Sequence, residues 1–274
     1  NDTGNMGSEA RKNHCNMNAI THLSFSRLGE LEHSPLALKK YMEGSRSATA
    51  AMNEGSLLDC LLFEPEKLES RFLIIDKVSK ATKEGKALFA DALENANGRT
   101  IMNREQYDEQ KFICTCIEAN ATVLHHGLLR RDDTDGFKFQ VPVDFFYHGF
   151  KHRGIKDADG YDRNGNRVIW DLKRMASRSG ESLVRSQIRI MGYDLQAAIY
   201  CWPLDEKNEP VKYYILAVDN EGYVTPFEVT RDAREKARIR WNKLIKAAHQ
   251  INMEPHLLES GCEFWAGSEG FFNF

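Results

Sequence analysis

Three short segments in the middle of the sequence most constrain what this chain can fold into. Residues 141–147 (VPVDFFY) and 168–173 (VIWDLK) alternate apolar and polar positions and are rich in β-branched and aromatic side chains, which is typical of strands. Residues 150–155, between them, form a third such segment next to a turn. The sequence therefore predicts three consecutive strands.

Turn-forming dipeptides separate these segments. Residues 148–149 (HG) follow the first one, and residues 159–160 (DG) and 164–165 (NG), both typical of hairpin turns, follow the second. We expect the second strand to end at residues 156–157, before these turns. Such short connections favour a meander of neighbouring antiparallel strands.

The last two predicted strands each bring a carboxylate to the meander. Side chains alternate along a strand, so Asp171 and Lys173 share one face while Leu172 points the other way. In a meander, Asp157 can lie beside Asp171. The alternative for this spacing alone is a surface hairpin with an ordinary Asp/Lys cross-strand pair.

Two carboxylates beside an ammonium group suit phosphodiester cleavage. Mg²⁺ is usually held by one or two carboxylates together with waters and substrate phosphate, and Mn²⁺ accepts similar oxygen ligands. Such an ion polarises a phosphoryl oxygen and lowers the pKa of a bound water. A neighbouring lysine can orient or deprotonate that water and neutralise the charge that develops on the phosphate. The pattern predicts a metal-dependent site.

A predicted helix over residues 181–202 supplies two further polar candidates. Gln196 and Tyr200 are four residues apart and therefore share one helix face. One interpretation places them at the metal-dependent site. The other is a core helix with a single polar stripe.

Together these elements resemble the PD-(D/E)xK nuclease superfamily, and more narrowly the RecE (exonuclease VIII) C-terminal nuclease and its phage-encoded relatives. The resemblance rests on three motifs in the family's order: G-x-x-D at residues 154–157, D-x-K at residues 171–173, and Y-x-x-Q-x-x-x-Y at residues 193–200. Their order and spacing are more specific than any one motif.

The resemblance implies a role for each matching residue. Metal ligands are implied at Asp157, at Asp171 and, through its backbone carbonyl, at Leu172. Gln196 and Tyr200 would support the site or the DNA. The catalytic residues implied are Asp157, Asp171, Lys173, Gln196 and Tyr200.

The expected fold is α/β, with helices flanking a mixed central β-sheet that has a restriction-endonuclease-like core. An N-terminal helical region would pack against this core. The chain has 274 residues, enough to bury a sizeable core. Because the resemblance extends over most of the chain, we expect one PD-(D/E)xK nuclease domain over residues 20–274 and a flexible N-terminus over residues 1–19.

Two positions depart from the family's pattern. Relatives carry a histidine ligand four residues after a glycine in a leucine-rich helix, but Asp59 occupies that place after Gly55. A buried carboxylate needs a partner, so we expect Asp59 at the metal site or in a structural role. Relatives often have a glutamate that bears on a second metal where this chain has Gln140. The neighbouring Glu54 and Glu64 are predicted to be surface charges.

The net charge of −3 excludes a generally basic protein, so any nucleic-acid surface must be a local patch. Phosphate contacts come mainly from arginine and lysine. The arginines that follow the D-x-K motif are therefore the candidate DNA contacts: Arg174, Arg178, Arg185 and Arg189.

The six cysteines form no CxxC motif, and several lie in apolar surroundings. They predict buried free thiols in a cytoplasmic protein. Some related nucleases hold an iron–sulfur cluster with a C-terminal cysteine triplet, but Cys262 stands alone there, so no cluster is expected. The sequence also shows no signal peptide and no apolar run near 18 residues.

The resemblance implies a Mg²⁺-dependent (or Mn²⁺-dependent) DNA exonuclease that resects linear double-stranded DNA ends, 5′ to 3′, in recombination. A single-strand annealing protein and a ring-shaped homo-oligomer are the partners it suggests. Two alternatives remain open. One is an endonuclease or single-strand nuclease of the same superfamily, and the other is a non-catalytic DNA-binding descendant.

Overall fold

The computed structural model describes residues 19–44, 48–76, 78, 81–129, 136–175 and 181–259. The expected flexible N-terminus lies, apart from residue 19, outside the described residues. So do Arg178 and Cys262. The division of the chain at residues 19 and 20 therefore stays a prediction.

Strands and helices are numbered along the chain. The strands are β1 (His22–Leu23), β2 (Phe72–Ile75), β3 (Thr100–Asn103), β4 (Lys138–Tyr147), β5 (Phe150–Tyr161), β6 (Arg167–Arg174), β7 (Val211–Val218) and β8 (Val224–Glu228). The α-helices are α1 (Phe25–His33), α2 (Pro35–Met42), α3 (Ala50–Phe63), α4 (Leu68–Arg71), α5 (Lys83–Asn95), α6 (Arg104–Glu118), α7 (Ala121–His126), α8 (Glu181–Ile190), α9 (Tyr193–Asp205) and α10 (Arg231–Met253). Short 3₁₀ turns cover Pro65–Lys67 and Pro255–Glu259.

The central sheet is mixed. β4, β5 and β6 form the predicted antiparallel meander, β7 runs parallel to β6, and β8 returns antiparallel to β7. The short β1 adds in parallel to the beginning of β5. β2 and β3 form a separate two-stranded parallel sheet. This confirms the α/β prediction.

Apolar layers cover both faces of the central sheet. β7 shows this most simply, because every residue from Tyr213 to Val218 is buried and successive side chains enter opposite layers. One layer contains α1, α2, α9 and α10, and the other contains α3, α6 and α7. The N-terminal helices thus pack on the core, as predicted. The side-chain oxygens of Ser24, Ser34 and Thr49 cap the helices α1, α2 and α3.

The prediction that the second strand ends at residues 156–157 was wrong. β5 continues to Tyr161, and residues 159–160 are inside it and not in a turn. A Cβ atom on Gly160 would lie 2.6 Å from the carbonyl oxygen of Gly136. The glycine therefore allows close backbone approach within the sheet, which a DG dipeptide does not reveal by itself.

The single helix predicted over residues 181–202 is two helices. α8 ends at Ile190 and α9 begins at Tyr193, with Gly192 between them at a φ of +71°. This left-handed conformation is readily adopted by glycine and ends a helix. The two helices can consequently take different directions.

Two further sequence predictions can be compared with the structure. Cys60 and Cys201 are buried free thiols, as predicted, whereas Cys114 and Cys116 are half-buried. None of the helices in the described part of the chain combines the length and the apolar character needed to cross a membrane.

Candidate active site

The candidate site lies where β5 changes its neighbour. Residues 158–161 of β5 pair with β6, and residues 151–152 pair with β1. Because β4 occupies the other edge of β5, the stretch between these two pairings is an opening in the sheet. β6 continues past Trp170 beside β7 alone. Asp157 stands at the point where β5 and β6 part.

A hydrogen bond links the two diverging strands. The backbone N–H of Leu172 donates to Oδ2 of Asp157 over 2.6 Å. The Asp157 side chain thereby accepts a hydrogen bond from a β6 backbone N–H at a position beyond the β5–β6 pairing. The bond places the Asp157 carboxylate directly beside the D-x-K motif.

Asp171 and Lys173 lie on one face of β6, as their spacing predicts. The Nζ of Lys173 is 2.5 Å from Oδ2 of Asp171, whose side chain is 1% exposed, while that of Lys173 is 18% exposed. Nζ also lies 5.0 Å from the centre of the Tyr193 ring. The lysine is therefore held between a carboxylate and an aromatic face, with limited access to solvent.

α9 contributes Gln196 and Tyr200 to the site. Gln196 Nε2 donates to Oδ1 of Asp171 over 2.9 Å, and both residues are buried. The Tyr200 ring packs against Gly154 so closely that an added Cβ there would lie 2.6 Å from its Cε1. The polar stripe of α9 thus contacts Asp171 and Gly154, and the role of Gln196 and Tyr200 in the site stays a prediction.

The β4–β5 ribbon is irregular at the same place. Residues 138–147 pair with residues 150–159 in one register, and the pair Gln140–Asp157 is missing from it. Gln140 has a φ of +52°. On either side of this point the ribbon contacts different layers, since Phe139 packs in the α3 layer and Val143 in the α9 layer.

Asp59 approaches from α3. Its two carboxylate oxygens accept hydrogen bonds from Gln140 Nε2 at 3.2 and 3.1 Å. Asp59 therefore has the partner that a buried carboxylate needs. Among the described residues, however, no three His, Cys, Asp or Glu side chains come together in an arrangement that could hold a metal ion. The assignment of Asp59 as a ligand stays a prediction.

Burial raises the pKa of both carboxyl groups at the meeting of β5 and β6. Burial raises the pKa of Asp157 well above its ordinary value, and the charges of Asp171 and Asp59 add to this effect. Burial also raises the pKa of Asp171, against the opposing influence of Lys173. Negative charge is thus concentrated here beyond what one lysine offsets.

The charge of Asp171 also affects the pKa of Asp59 and of Lys173. Burial raises the pKa of Asp59 to about 6, with Arg71 acting against the shift and Asp171 adding to it. Burial alone would lower the pKa of Lys173, but Asp171 and Asp157 outweigh it and the net shift is upward. A cation bound among these groups would relieve the repulsion.

The candidate DNA contacts divide into different environments. Arg174 forms an ion pair with Glu54 of α3, and both side chains are largely buried. Arg185 and Arg189 are exposed on α8. Arg178 lies outside the described residues. Arg174 is therefore engaged within the protein. Arg185 and Arg189 are exposed, and the guanidinium of Arg185 also lies over the ring of Phe227 at 5.5 Å.

The prediction that Glu54 and Glu64 are surface charges was wrong. Their side chains are only 17% and 13% exposed. Glu54 also accepts a hydrogen bond from Gln106, and Glu64 pairs with Lys67 and Arg71. The partners of Glu54 lie 52 and 120 positions away in the chain, so its apolar neighbours in the sequence carry no signal for them. The partners of Glu64 are within seven residues, so the sequence could have indicated that pairing.

Sequence reasoning also missed an ion-pair cluster behind the site. Asp159 is 5% exposed and accepts a hydrogen bond from Lys156 at 2.6 Å and two from Arg167 at 3.0 and 3.1 Å. The cluster joins β5 to β6 next to the place where they part. The placement of Asp159 in a turn concealed it.

A protein-family comparison agrees with this geometry. Residues 24–256 match the family described as a PDDEXK-like domain of unknown function (DUF3799). The chain belongs to this family. The membership confirms the resemblance to the PD-(D/E)xK superfamily, while the narrower resemblance to RecE stays a prediction. No curated protein matches the sequence.

A solved structure has the same fold. The chain resembles a crystal structure named "Putative exonuclease" from Eubacterium rectale with a TM-score of 0.53 and 17% identity, covering 94% of this chain and 86% of that one. Family and fold together support a nuclease.

Two other solved structures resemble the chain only weakly. The structure named SSO0001 has a TM-score of 0.28 at 18% identity, covering 53% of this chain and 69% of its own. The structure of protein VC1899 from Vibrio cholerae has a TM-score of 0.23 at 14% identity, covering 85% of this chain and 56% of that one. At these scores neither informs the fold.

The residues present fit a divalent cation of the kind that PD-(D/E)xK nucleases generally use. Asp157 and Asp171 supply hard oxygen donors, and the charge of Asp171 adds to the burial that raises the pKa of Asp157. Two carboxylates completed by waters and substrate phosphate are a usual arrangement for Mg²⁺. The chemistry of the donors thus suits the ion without a third carboxylate.

Proposed function

We propose that this protein is a divalent-metal-dependent DNA exonuclease that hydrolyses phosphodiester bonds at the ends of linear duplex DNA, 5′ to 3′, in recombination. The observation that carries the proposal is the meeting of Asp157, Asp171 and Lys173 where β5 and β6 part. Membership of the PDDEXK-like family supports nuclease chemistry. The name of the Eubacterium rectale protein supports action at DNA ends.

Each residue of the site has a distinct part in the proposed chemistry. Asp157 and Asp171, with the backbone carbonyl of Leu172, would hold Mg²⁺ or Mn²⁺. The bound ion would polarise a phosphoryl oxygen and lower the pKa of a water. Lys173 donates hydrogen bonds from Nζ to the phosphate or the attacking water and offsets developing negative charge. Gln196 holds Asp171 in orientation through its 2.9 Å hydrogen bond.

The exposed arginines of α8 support a nucleic-acid substrate. Arg185 and Arg189 are on α8, the helix directly before α9. Tyr193 is the first residue of α9, and its ring contacts the catalytic lysine. Guanidinium groups in such a position can bind the phosphates of a strand that enters the site. By analogy with the resembling nucleases, the proposed assembly is a homo-oligomeric ring that acts with a single-strand annealing protein.

The test compares linear and closed-circular duplex DNA in the presence of Mg²⁺ or EDTA. We expect loss of linear DNA only, dependent on the metal ion. Lys173→Ala and Asp171→Ala should each reduce the rate by about 10²–10³-fold, because each removes a group that stabilises the transition state. Lys236→Ala, at a lysine whose side chain is 74% exposed, is the matched control and should cleave normally.

Other outcomes would change the proposal. Normal cleavage by Lys173→Ala would contradict the mechanism, and nicking of the circular DNA would indicate an endonuclease. Absence of cleavage with both Mg²⁺ and Mn²⁺ would indicate a non-catalytic descendant. Labels placed separately at the 5′ and 3′ ends of the linear DNA test the direction of digestion.

A further inference from the structure

Gln140 has an unusual backbone for its place in the fold. Among the described residues, the other non-glycine residues with positive φ are Asn97, His148 and Asn208, and all three lie in turns. Gln140 lies within β4, where its φ of +52° interrupts the pairing with Asp157. A long side chain in the left-handed region is disfavoured, and such residues persist where the surroundings hold them.

The conformation of Gln140 directs its amide at Asp59. A single nitrogen, Nε2, lies 3.2 and 3.1 Å from the two carboxylate oxygens of Asp59. Because one donor group engages both oxygens, the carboxylate is restrained in orientation as well as in position. Both side chains are half-buried, so water competes little for these bonds.

Asp59 is consequently near the candidate metal site, with both of its carboxylate oxygens bound by Gln140. Its charge raises the pKa of Asp157, and the charge of Asp171 adds to the rise in its own pKa that burial causes. Yet the three carboxylates do not form a group that could hold an ion together within the described part of the chain. Gln140 supplies the two hydrogen bonds that restrain the Asp59 carboxylate.

We propose that Gln140 is a positioning residue that holds Asp59 back from the metal ion, so that the ion is bound by two carboxylates and not by three. This inference rests on the proposed function of the site. Divalent-cation affinity rises with the number of charged ligands. Holding back a third carboxylate keeps the ion weakly bound and leaves a coordination position for a substrate phosphate.

The experiment measures Mn²⁺ affinity in the absence of DNA, from the electron paramagnetic resonance signal of free Mn²⁺. The full-length wild type is compared with Gln140→Met, Asp59→Asn and the double variant. Methionine matches glutamine in length but donates no hydrogen bond, so it releases Asp59 without opening a large space. Asp157→Asn serves as the reference for loss of a ligand.

We expect Gln140→Met to bind Mn²⁺ about tenfold more tightly than the wild type, because a third carboxylate becomes available. The gain should disappear in the double variant with Asp59→Asn. A purely structural role for Gln140 would lower stability without producing this dependence on Asp59. If Gln140→Met does not fold, Gln140→Gly, which also relieves the backbone conformation, takes its place.

Two results for the variants would overturn the inference. One is an affinity that changes less than about twofold on removal of the amide, and the other is a gain that persists in the Asp59→Asn background. A wild type that binds no Mn²⁺ would overturn it as well. Failure of the proposed function gives a different result: the protein binds Mn²⁺ in a way that depends on Asp157 but does not cleave DNA. In that case the measured Mn²⁺ affinities would still decide the role of Gln140.

Discussion

At the scale of single residues, the environment of Lys173 is the most informative feature. Asp171 pairs with its ammonium group, and the face of the Tyr193 ring lies 5.0 Å away. Both contacts favour one position of a side chain that is otherwise long and flexible. The tyrosine of the helix motif thus has a physical role, since the face of its ring lies against the lysine.

This role predicts different outcomes for two substitutions of Tyr193. Tyr193→Phe keeps the ring and should cleave DNA within about twofold of the wild type. Tyr193→Leu removes a cation–π contact worth about 0.5–2 kcal/mol and should slow cleavage by about 2- to 30-fold. Single-turnover rates with saturating Mg²⁺ provide the measurement. Equal losses in both variants would instead assign the role to the hydroxyl.

At the scale of secondary-structure elements, the contact between β5 and α9 explains the glycine of the G-x-x-D motif. A Cβ atom on Gly154 would lie 2.6 Å from Cε1 and 2.8 Å from the hydroxyl oxygen of Tyr200. Only glycine allows the helix to approach this closely. The approach brings Gln196, one turn earlier, to Asp171.

The close contact predicts that Gly154→Ala destabilises the protein by about 1–3 kcal/mol through overpacking. Urea denaturation measures the free energy of unfolding. Combining the substitution with Tyr200→Leu should reduce its cost, because the smaller side chain makes room. Gly29→Ala is the matched control, since a Cβ there meets nothing within 4 Å inside α1, and it should not destabilise. An equal cost with and without Tyr200 would contradict the packing argument.

At the scale of the whole molecule, folding places carboxylates close together at the candidate site, and this lowers the stability of the protein. Asp157 and Asp159 are two residues apart in β5 and have opposite environments. Burial and the neighbouring carboxylates raise the pKa of Asp157, whereas Arg167 and Lys156 outweigh burial and lower the pKa of Asp159. One carboxylate therefore opposes folding at neutral pH and the other supports it.

This contrast predicts opposite effects of the same substitution. In EDTA at pH 7, Asp157→Asn should raise the melting temperature by about 2–4 °C for each kcal/mol of repulsion removed, because asparagine retains an acceptor for the Leu172 N–H. Asp159→Asn should lower it, since Lys156 would stay buried with a weakened partner. Thermal unfolding followed by circular dichroism is the measurement. Destabilisation by both would show that repulsion at the site is negligible.

Much of the sheet and part of the site followed from local patterns. The period of two along β6 places Asp171 and Lys173 on one face whatever surrounds them. The strongly apolar run of β7 from Tyr213 to Val218 indicates a strand covered on both sides. The four-residue spacing of Gln196 and Tyr200 likewise brings them to one helix face. These inferences hold because backbone periodicity is a local property.

What only the tertiary structure decided involves partners far apart in the chain. Gln140 and Asp59 are 81 positions apart, and Arg174 and Glu54 are 120 apart. The end of β5 and the break at Gly192 likewise depend on contacts that no dipeptide encodes. The sequence by itself determined which residues share a face. The tertiary structure decided which faces meet and which side chains pair, because burial, pairing and backbone strain arise only when distant segments pack together.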